Sequence, residues 1–545
     1  MTARSVRRQQ LHTFGETIPS AVAASITARP DVEAIVEPGR RVTYRELGEL
    51  VGTSTRAMLA VGVQPGDRVA IWAPNSSGWI VAALGAQSAG AALVPINTRW
   101  KGAEAAYVLS ASKAVVLVTT VGFLDIDSVG MLRAAGTPLP HLRRIVLLDG
   151  SASPEEGPEG ADVEHWHTFA TRAEEITASA ASQRQQSVRP TDTSDILFTS
   201  GTTGRPKGVI MTHGQTVRQF REWCEFAGLR PDDRYLIVNP FFHMFGYKAG
   251  WLASLLQGAT IVPVPVFDVP RVLSLVQTER ITVLPGAPTI YRSILDHPER
   301  KAFDLHSLRV AVTGAADIPV QLIREIRAEL PFRSILVGYG LTEAGTCTGS
   351  RPDDDAETIA TTAGRAMADL EIIIADREGK EVERGATGEL LVRGYSVMQG
   401  YLDDPEATAA AIDDRGFLHT GDLATMDERG YVRIVGRLKD MLIVGGFNVY
   451  PAEVENALLA HDAIAQVAVI GVPDARMGEV AVAYVVSAPG RSLDQEAIIE
   501  WARKRLANYK VPRHLVAVAE LPINAAGKVV KSELRARAAA DLKTA

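Results

Sequence analysis

The run Thr199-Ser-Gly-Thr-Thr-Gly-Arg-Pro-Lys-Gly208 holds four hydroxyl side chains, three glycines and a lysine within ten residues. Hydroxyls, the N–H groups of glycines that can adopt positive φ, and a lysine charge are groups that can wrap phosphate oxygens. Short apolar runs flank the segment at 195–198 and 209–211, so the pattern predicts two strands joined by a phosphate-binding loop. A flexible hairpin rich in glycine and threonine is the alternative interpretation.

This loop differs from a Walker-type P-loop. A P-loop opens a helix and needs Ser or Thr directly after its lysine to hold Mg²⁺, whereas here Gly208 follows Lys207 and a β-type run comes next. Any metal must therefore be anchored elsewhere in the chain. The residues expected to hold phosphate are Thr199, Ser200, Gly201, Thr202, Thr203, Gly204 and Lys207.

Outward from the loop, helical patterns alternate with short apolar runs, which is typical of a layered α/β fold. The strands predicted in this way lie near 68–73, 91–96, 114–118, 235–238, 259–264 and 309–312. Two polar stretches, 150–160 and 177–189, are predicted to be surface connections.

The sequence pattern changes in the last third of the chain. Short β-runs and turns between 364 and about 433 predict a distorted β-barrel or β-rich subdomain. From residue 438 the pattern is strand, helix, two strands, helix, strand, which suits a small separate α+β domain. We therefore predict a large N-terminal domain of two α/β subdomains and a barrel over 1–437, and a mobile C-terminal domain over 438–545.

Composition limits the class of protein. A chain of 545 residues is too long for one core, and 46% hydrophobic with 22% charged residues is typical of a soluble globular protein. The net charge of −7 does not favour binding to nucleic acid or to an anionic membrane. Two cysteines, Cys224 and Cys347, cannot form a disulfide framework, and no signal peptide or apolar stretch of about 18 residues is present. We expect a cytoplasmic protein with no transmembrane segment, and a dimer is plausible.

A second motif, Gly338-Tyr-Gly-Leu-Thr-Glu343, follows an apolar run. Tyr339 lies between two glycines, and the missing Cβ atoms would let its ring lie against a planar base. Glu343 is the candidate Mg²⁺ ligand that the phosphate loop lacks. Taken alone, the hexapeptide could equally be a junction between a strand and a turn.

Three further motifs are weak one at a time. Asp422 in His419-Thr-Gly-Asp422 could accept both hydroxyls of a ribose, or could be an Asx turn between strands. Gly436-Arg-Leu-Lys-Asp440 lies at the predicted domain boundary, and Asn524-Ala-Ala-Gly-Lys528 lies close to the C-terminus. A lysine on a glycine turn is usually only solvated surface.

Together, the five motifs in this order resemble the adenylate-forming superfamily of acyl-CoA synthetases, luciferases and peptide-synthetase adenylation domains. The resemblance covers nearly the whole chain. It implies an ATP-dependent reaction in which a carboxylate forms an acyl-adenylate and then, with coenzyme A, a thioester. ATP, Mg²⁺ and coenzyme A are the implied cofactors, and a small carboxylic acid is the implied substrate.

The resemblance also implies roles for individual residues. Thr342 and Glu343 resemble the contacts to the α-phosphate and the metal, Lys439 stands at the hinge position, and Lys528 matches the adenylation lysine. Residues that resemble the nucleotide site are the phosphate loop, Gly314, Ala315, Ala316, Tyr339, Gly340, Asp422 and Arg437. Gly445 and Gly446 resemble the segment that forms the tunnel for the pantetheine thiol.

The acid is indicated by Pro240-Phe-Phe-His-Met-Phe-Gly246. Relatives that activate amino acids carry an aspartate in this aromatic motif, whereas this chain has His243, which looks like the histidine bordering the acyl site. That histidine could instead be a hydrogen-bonded core residue. Phe242, Phe245 and Trp251 are the predicted acyl-pocket residues, and burial of an unpaired ammonium beside them would be costly.

The predicted pocket lining runs over 239–251, 285–289, 314–316 and 339–348. The sequence in these parts looks closest to actinobacterial ligases, including those that activate the ring-bearing propanoate left from steroid degradation; medium- or long-chain fatty acids are the broader expectation. Lys248 does not suit an apolar pocket, so it either pairs elsewhere or points at a keto or acidic group of the substrate.

Two other functions stay open at this level. No carrier domain is expected behind Lys528, which favours free coenzyme A as acceptor over the loading of a separate carrier protein. A non-catalytic nucleotide sensor on the same fold is the third alternative. All the charged residues of the family's site motifs are present in this chain, which counts against a non-catalytic sensor.

Overall fold

The computed structural model describes residues 16–148, 157–199, 206–314, 320–445, 447–474, 476–523 and 529–541. These residues fall into two compact units. The first lies within Met1–Glu371 and Val392–Leu418, and the second within Ile372–Leu391 and His419–Ala545. The boundary predicted between residues 437 and 438 lies inside the second unit and stays a prediction.

One sheet of the first unit has the phosphate-loop strands near one edge. The strand Lys207–Thr212 is antiparallel to both of its neighbours, and all the other pairs of neighbouring strands in this sheet are parallel. In spatial order the eight strands are Gly400–Tyr401, Lys207–Thr212, Thr193–Thr199, Ala92–Pro95, Arg68–Trp72, Val116–Thr119, Arg144–Leu147 and Asp162–His165.

The other sheet of this unit is also mostly parallel, with antiparallel strands at both edges. In spatial order the nine strands are Arg365–Ala366, Gly345–Gly349, Ser334–Leu341, Val310–Gly314, Val283–Pro285, Arg234–Ile237, Thr260–Pro263, Glu33–Glu37 and Arg40–Thr43. Crossovers between parallel strands need intervening helices, which is the pattern that the alternation predicts.

The helices of the first unit connect and cover these sheets. The α-helices are Ile18–Ala28, Tyr44–Ala60, Ser77–Ser88, Gly102–Ser112, Ser128–Ala135, Trp166–Thr171, Ala178–Ser187, His213–Ala227, Met244–Gly246, Ala253–Gln257, Val269–Thr278, Pro288–Asp296, Val320–Glu329, Ala356–Thr361 and Pro405–Ala411. Short 3₁₀ turns occupy Phe123–Asp125, Pro158–Gly160, Arg172–Glu175 and Arg300–Ala302, and a π-helix spans Tyr247–Leu252.

The largest core cluster of this unit is built around the helix Ser77–Ser88, which is buried over almost its whole length. Trp79 is fully buried there, and its ring centroid lies 5.5 Å from that of Phe241 and 5.9 Å from that of Trp251. Edge-to-face contacts of this kind stabilise a core beyond the area that they bury. The aromatic motif found in the sequence is therefore attached to a rigid part of the unit.

The second unit contains two smaller sheets. The strands Leu370–Ala375, Gly388–Gly394, Leu418–Met426 and Val432–Arg437 form a four-stranded sheet, which lies mainly in this unit. Five strands form the other sheet: Phe447–Val449, Leu442–Val444, Gly478–Ser487 and Ile464–Asp474 in spatial order, with His514–Ala517 also paired to Gly478–Ser487. The helices are Pro451–Leu459, Gln495–Arg503 and Lys531–Asp541, with a 3₁₀ turn at Leu438–Asp440.

The predicted α/β fold class is confirmed, and the β-rich interval predicted from 364 to about 433 overlaps the four-stranded sheet, whose last strand continues to Arg437. One prediction of local structure is wrong. The stretch 177–189 was expected to be a connection, but it contains the helix Ala178–Ser187, whose start is capped when the Thr177 side chain accepts from the Ala180 N–H. The sequence does not predict this helix because its residues are mostly polar, and only Ala181 among them is buried.

None of the helices within the described ranges has the length and apolar character needed to cross a bilayer.

Candidate active site

The two strands predicted on either side of the phosphate loop are present near one edge of the eight-stranded sheet. Thr199 ends one strand and pairs with Lys207, which begins the next, so the loop leaves and re-enters the sheet at one point. The predicted phosphate contacts Ser200, Gly201, Thr202, Thr203 and Gly204 lie outside the described residues.

Lys207 lies beside a short strand that the sequence analysis did not connect with the loop. Tyr401 pairs with Val209, and the Lys207 ammonium lies 5.2 Å from the centre of the Tyr401 ring. The same ammonium is 3.8 Å from Oδ2 of Asp404. A half-buried lysine held over an aromatic face and near a carboxylate is restrained in position while its charge is retained.

Glu343 contacts the same tyrosine through its hydroxyl group. The Tyr401 hydroxyl donates to Oε1 of Glu343 over 3.1 Å, and the Glu343 carbonyl accepts from the Met398 N–H over 2.7 Å. Burial raises the pKa of Tyr401, and the Glu343 charge raises it further, so the phenol remains a hydrogen-bond donor at neutral pH. Tyr401 therefore joins the phosphate-loop lysine to the candidate metal carboxylate. No local sequence signal marks it for this role.

A buried glutamine, Gln219, holds the turn that carries Thr342 and Glu343. The Gln219 side chain donates to the Ala344 carbonyl over 2.8 Å. Gly345 has φ of +61°, and a Cβ there would lie 2.0 Å from the Gln219 side chain, so the position requires glycine. Both Thr342 and Glu343 are half-buried, so the turn presents them at the surface of this unit.

Strand packing near Tyr339 requires glycine at two positions. Tyr339 lies half-buried in the strand Ser334–Leu341. A Cβ on Gly340 would lie 2.2 Å from the Gly345 carbonyl oxygen, and one on Gly314 would lie 2.5 Å from the Gly338 carbonyl oxygen. Close approach of neighbouring strands therefore requires glycine at both positions, and the contact of the Tyr339 ring with a base stays a prediction. Ala315 and Ala316 lie outside the described residues.

The aromatic motif is held at its start by Asn75. The Asn75 side chain accepts from the Phe241 N–H over 2.8 Å and donates to the carbonyl of Asn239 over 3.0 Å. His243 is exposed, and its Nδ1 accepts from the Phe245 N–H over 3.2 Å, which caps the short helix that follows. An exposed ring excludes the alternative of a core histidine.

The predicted acyl residues differ in burial. Phe242 and Phe245 are half-buried, whereas Trp251 is fully buried and stacks on Tyr247 with a centroid distance of 4.9 Å. Lys248 is also buried, and it pairs with Asp195. The structure thus favours the first of the two alternatives for this lysine, in which it pairs elsewhere in the protein.

The second unit supplies the candidate ribose site. Asp422 is buried, and its Oδ1 lies 2.7 Å from Nε of Arg437, whose side chain is half-exposed. The part of the strand Leu418–Met426 before Asp422 is held by Glu389, which accepts from the Gly421 N–H over 3.0 Å and lies 2.9 Å from the His419 ring. A buried carboxylate with one charged partner is a suitable acceptor for hydroxyl groups.

The remaining predicted residues lie at turns of the second unit or outside the described ranges. Lys439 is exposed in the 3₁₀ turn Leu438–Asp440. Gly445 has φ of +59° in the hairpin where Val444 pairs with Phe447, so a left-handed turn accounts for this glycine. Gly446 and Lys528 lie outside the described residues.

The donor set around Glu343 suits a metal that is shared with phosphate. The described part of the chain holds no group of three or more His, Cys, Asp or Glu side chains able to hold a metal ion. Mg²⁺ commonly takes one or two carboxylates and completes its shell with water and substrate phosphates. A single carboxylate at Glu343, in the same unit as Lys207, fits that arrangement.

Two family models match the chain. Residues 22–402 match the AMP-binding enzyme model, and residues 453–528 match the model for the AMP-binding enzyme C-terminal domain.

Curated proteins and solved structures match along nearly the whole chain. The 3-[(3aS,4S,7aS)-7a-methyl-1,5-dioxo-octahydro-1H-inden-4-yl]propanoyl:CoA ligase of Rhodococcus jostii (strain RHA1) is 50% identical, covering 95% of this chain and 98% of that protein. The protein of the same name from Mycobacterium tuberculosis is 51% identical with the same coverage. The crystal structure of an anthranilate CoA ligase in complex with anthranoyl-AMP has a TM-score of 0.85 at 28% identity, covering 97% of this chain and 98% of that one. This chain therefore belongs to the AMP-binding enzyme family.

Proposed function

We propose that this protein is an AMP-forming acid–CoA ligase whose acid is a propanoate carried on a bicyclic ring. In the first half-reaction a substrate carboxylate oxygen attacks the α-phosphorus of ATP, an acyl-adenylate forms and pyrophosphate leaves. In the second, the thiol sulfur of coenzyme A attacks the acyl carbon, the thioester forms, and AMP leaves. The thiol proton is released in this step.

The structural observation that carries the proposal is the cluster of Lys207, Tyr401 and Glu343. It sets a cation and a carboxylate beside the ends of the two phosphate-loop strands. Identity of about 50% over 95% of the chain to two propanoyl:CoA ligases supports the same class of reaction.

Charge explains why the cluster is needed. A carboxylate that approaches the polyphosphate of ATP brings one anion against another, so the site must neutralise phosphate charge before the reaction proceeds. Lys207 supplies one cation at the loop, and Lys528 is proposed to supply another at the reacting oxygens. Mg²⁺, held by Glu343 and the phosphates, would supply further positive charge when bound.

The same family resemblance assigns residues to the ribose and the adenine of ATP. We assign Asp422 to the two ribose hydroxyls, with Arg437 holding the carboxylate in place through the ion pair already described. Tyr339 is assigned to the adenine. Gly445 and Gly446 are assigned to the passage of the pantetheine thiol.

The aromatic motif supports an apolar acid. Phe242 and Phe245 are half-buried, and among the described residues 239–251 none is acidic. An α-ammonium would have to be buried there without a carboxylate partner, at a cost of several kcal/mol. Because Lys248 is engaged with Asp195, the preference for a keto-bearing ring substrate rests on the two propanoyl:CoA ligases and not on that lysine.

An acid panel tests the proposal. With octanoate, palmitate, a dioxo-octahydroindene propanoate and phenylalanine offered separately, we expect the bicyclic acid to give the highest kcat/KM. AMP release and the mass of the CoA thioester are the measurements. Preference for a linear acid would remove the ring-substrate assignment alone, whereas activation of phenylalanine above the others would contradict the apolar-acid assignment.

The acceptor is tested separately. Exchange of pyrophosphate into ATP without coenzyme A, and AMP release that rises when coenzyme A is added, are expected for a CoA ligase. Exchange with no response to coenzyme A would support the loading of a separate carrier protein. Absence of exchange with every acid would favour a nucleotide sensor. The cytoplasmic location and a possible dimer stay predictions from the sequence.

Glu343→Gln is expected to lower the rate of acyl-adenylate formation about tenfold and to shift its Mg²⁺ dependence to higher concentration. The amide keeps the shape of the side chain but loses the charge that attracts a hard cation, and a hydrogen bond or contact to a charged group contributes about 1.5–3 kcal/mol. The measurement is a Mg²⁺ titration of pyrophosphate exchange, with the exposed Glu357→Gln as control. An unchanged titration would remove Glu343 from the metal site.

Tyr401→Phe is expected to have a smaller effect in the same titration. The variant keeps the ring beneath Lys207 and removes only the hydrogen bond to Glu343, so the carboxylate charge that attracts Mg²⁺ is retained and the loss of rate should be smaller than that of Glu343→Gln. If the double variant Tyr401→Phe/Glu343→Gln is no worse than Glu343→Gln alone, the hydroxyl acts through Glu343. Additive losses would show that it acts independently.

A further inference from the structure

Lys248, two residues after the aromatic motif 240–246, forms a completely buried ion pair with Asp195. Nζ of Lys248 is 2.7 Å from Oδ1 of Asp195, and the two side chains are 1% and 0% exposed. Asp195 belongs to the strand Thr193–Thr199, which runs into the phosphate loop. Lys248 belongs to the π-helix Tyr247–Leu252, which directly follows the aromatic motif.

Polar contacts surround the pair. The Ser194 hydroxyl donates to Oδ2 of Asp195 over 2.6 Å, and the Lys248 ammonium lies 3.4 Å from the Thr216 hydroxyl. Burial lowers the pKa of Lys248, and the neighbouring Asp195 charge opposes that shift. The two charges therefore compensate each other inside the core.

A second link joins the same two elements one residue away. Nε2 of Gln87 donates to the Ser194 carbonyl over 3.0 Å and to the Tyr247 hydroxyl over 2.9 Å. Tyr247 is thus connected to Ser194 through Gln87, and the next residue, Lys248, pairs directly with Asp195, the residue after Ser194. This double connection sets the position of the π-helix along the strand.

Stability alone does not account for such a pair. Replacing a buried ion pair with apolar residues of similar size is often neutral or stabilising, because both charges lose their hydration on burial. π-Helical turns also interrupt regular hydrogen bonding and occur frequently at functional sites. A role in placing the two connected elements is the remaining physical reason for the pair.

We infer that Lys248 and Asp195 are positioning residues that hold the acid-binding aromatic segment in place relative to the phosphate loop. The inference rests on the proposed function. Neither side chain reaches solvent, so neither is assigned a contact with substrate. Their effect is on the distance between the acid carboxylate and the α-phosphorus, to which the first half-reaction is sensitive and the second is not.

The double variant Lys248→Met/Asp195→Leu tests this role, because it removes both charges together and leaves no unpaired ion in the core. We expect a Tm close to that of the unaltered protein, and acyl-adenylate formation slower by about ten- to a hundredfold, since displacement of reacting groups by ~1 Å can cost about a hundredfold. Thioester formation from supplied acyl-adenylate is expected to change less than threefold. A normal Tm together with a normal adenylation rate would overturn the inference, because a purely structural pair predicts that result.

A matched control is available in the same unit. Arg309 and Asp233 form another ion pair with side chains 15% and 4% exposed, and they directly precede the strands Val310–Gly314 and Arg234–Ile237, at the opposite end of the first strand from Gly314. Arg309→Met/Asp233→Leu should leave the ratio of the two half-reaction rates unchanged, whatever its Tm. An altered ratio in this control would also overturn the inference, because the effect would then follow from any loss of buried charge.

Asp195→Asn is the second variant, for use if the double variant does not fold. It retains an acceptor for Ser194 and removes only the charge that faces Lys248. Selective slowing of adenylation supports the inference, and equal slowing of both half-reactions contradicts it. The unaltered protein separates the two proposals: if it forms no thioester from any acid, the proposed function fails, whereas an active protein with an unaffected variant leaves the function intact and removes only the positioning role.

Discussion

Lys528→Ala is expected to slow acyl-adenylate formation by about a hundred- to a thousandfold. Negative charge accumulates on the oxygens of the α-phosphate as the carboxylate attacks, and loss of one prearranged contact to developing charge typically costs about 3–4 kcal/mol. Thioester formation from a supplied acyl-adenylate should continue near the normal rate, because the α-phosphate has by then already reacted. The two half-reactions are measured separately, by pyrophosphate exchange and by thioester mass.

The control for this variant is Lys504→Ala, an exposed lysine of the same unit, which should leave both rates unchanged. Equal losses in the two half-reactions of Lys528→Ala would contradict its assignment as the adenylation lysine. They would indicate instead a general effect on folding or nucleotide affinity, which a Tm measurement with and without ATP would separate.

Lys439→Pro is expected to have the opposite pattern. Acyl-adenylate formation should be largely retained, and thioester formation should fall by about a hundredfold if the thiol can no longer be placed against the acyl carbon. Proline fixes φ near −65° and so opposes the backbone rotation that a hinge requires. Lys439 lies in a single 3₁₀ turn between two strands, where rotation of one residue would disturb little regular structure.

Lys439→Ala is the matched control for the hinge, because it removes the side chain without restricting φ. It should retain both half-reactions. A normal rate of CoA transfer in Lys439→Pro would place the rotation at a neighbouring residue, or would show that the two half-reactions share one arrangement of the chain.

Local sequence patterns predicted most of the elements that support the site. The strand Arg68–Trp72 lies within the predicted 68–73, and the helix Tyr44–Ala60 before it begins with a capping box of Thr43 and Glu46. Alternating apolar residues and capping side chains specify such elements through neighbours in the chain. The helix Ala178–Ser187 was missed because its apolar face is a single alanine, so the periodic signal was absent.

Two glycines that the sequence singles out also meet a requirement of the backbone. The sequence showed that Gly340 and Gly445 were unusual, but a ligand passing close to the backbone was only one possible explanation. Gly340 is required by the carbonyl oxygen of Gly345, and Gly445 by its left-handed conformation. A sequence pattern cannot distinguish a glycine that the backbone requires from one that a ligand requires, and the ligand contacts of both glycines stay predictions.

By itself the sequence determined the two strands that flank the phosphate loop, the α/β class and the family to which the motifs point, because each depends on residues close together in the chain. Tertiary structure alone decided that Lys248 pairs with Asp195 and that Tyr401 joins Lys207 to Glu343. The partner of a buried charge is chosen by the folding of distant segments against each other, and a lysine in an apolar stretch has the same local pattern whether it faces a substrate or a carboxylate in the core.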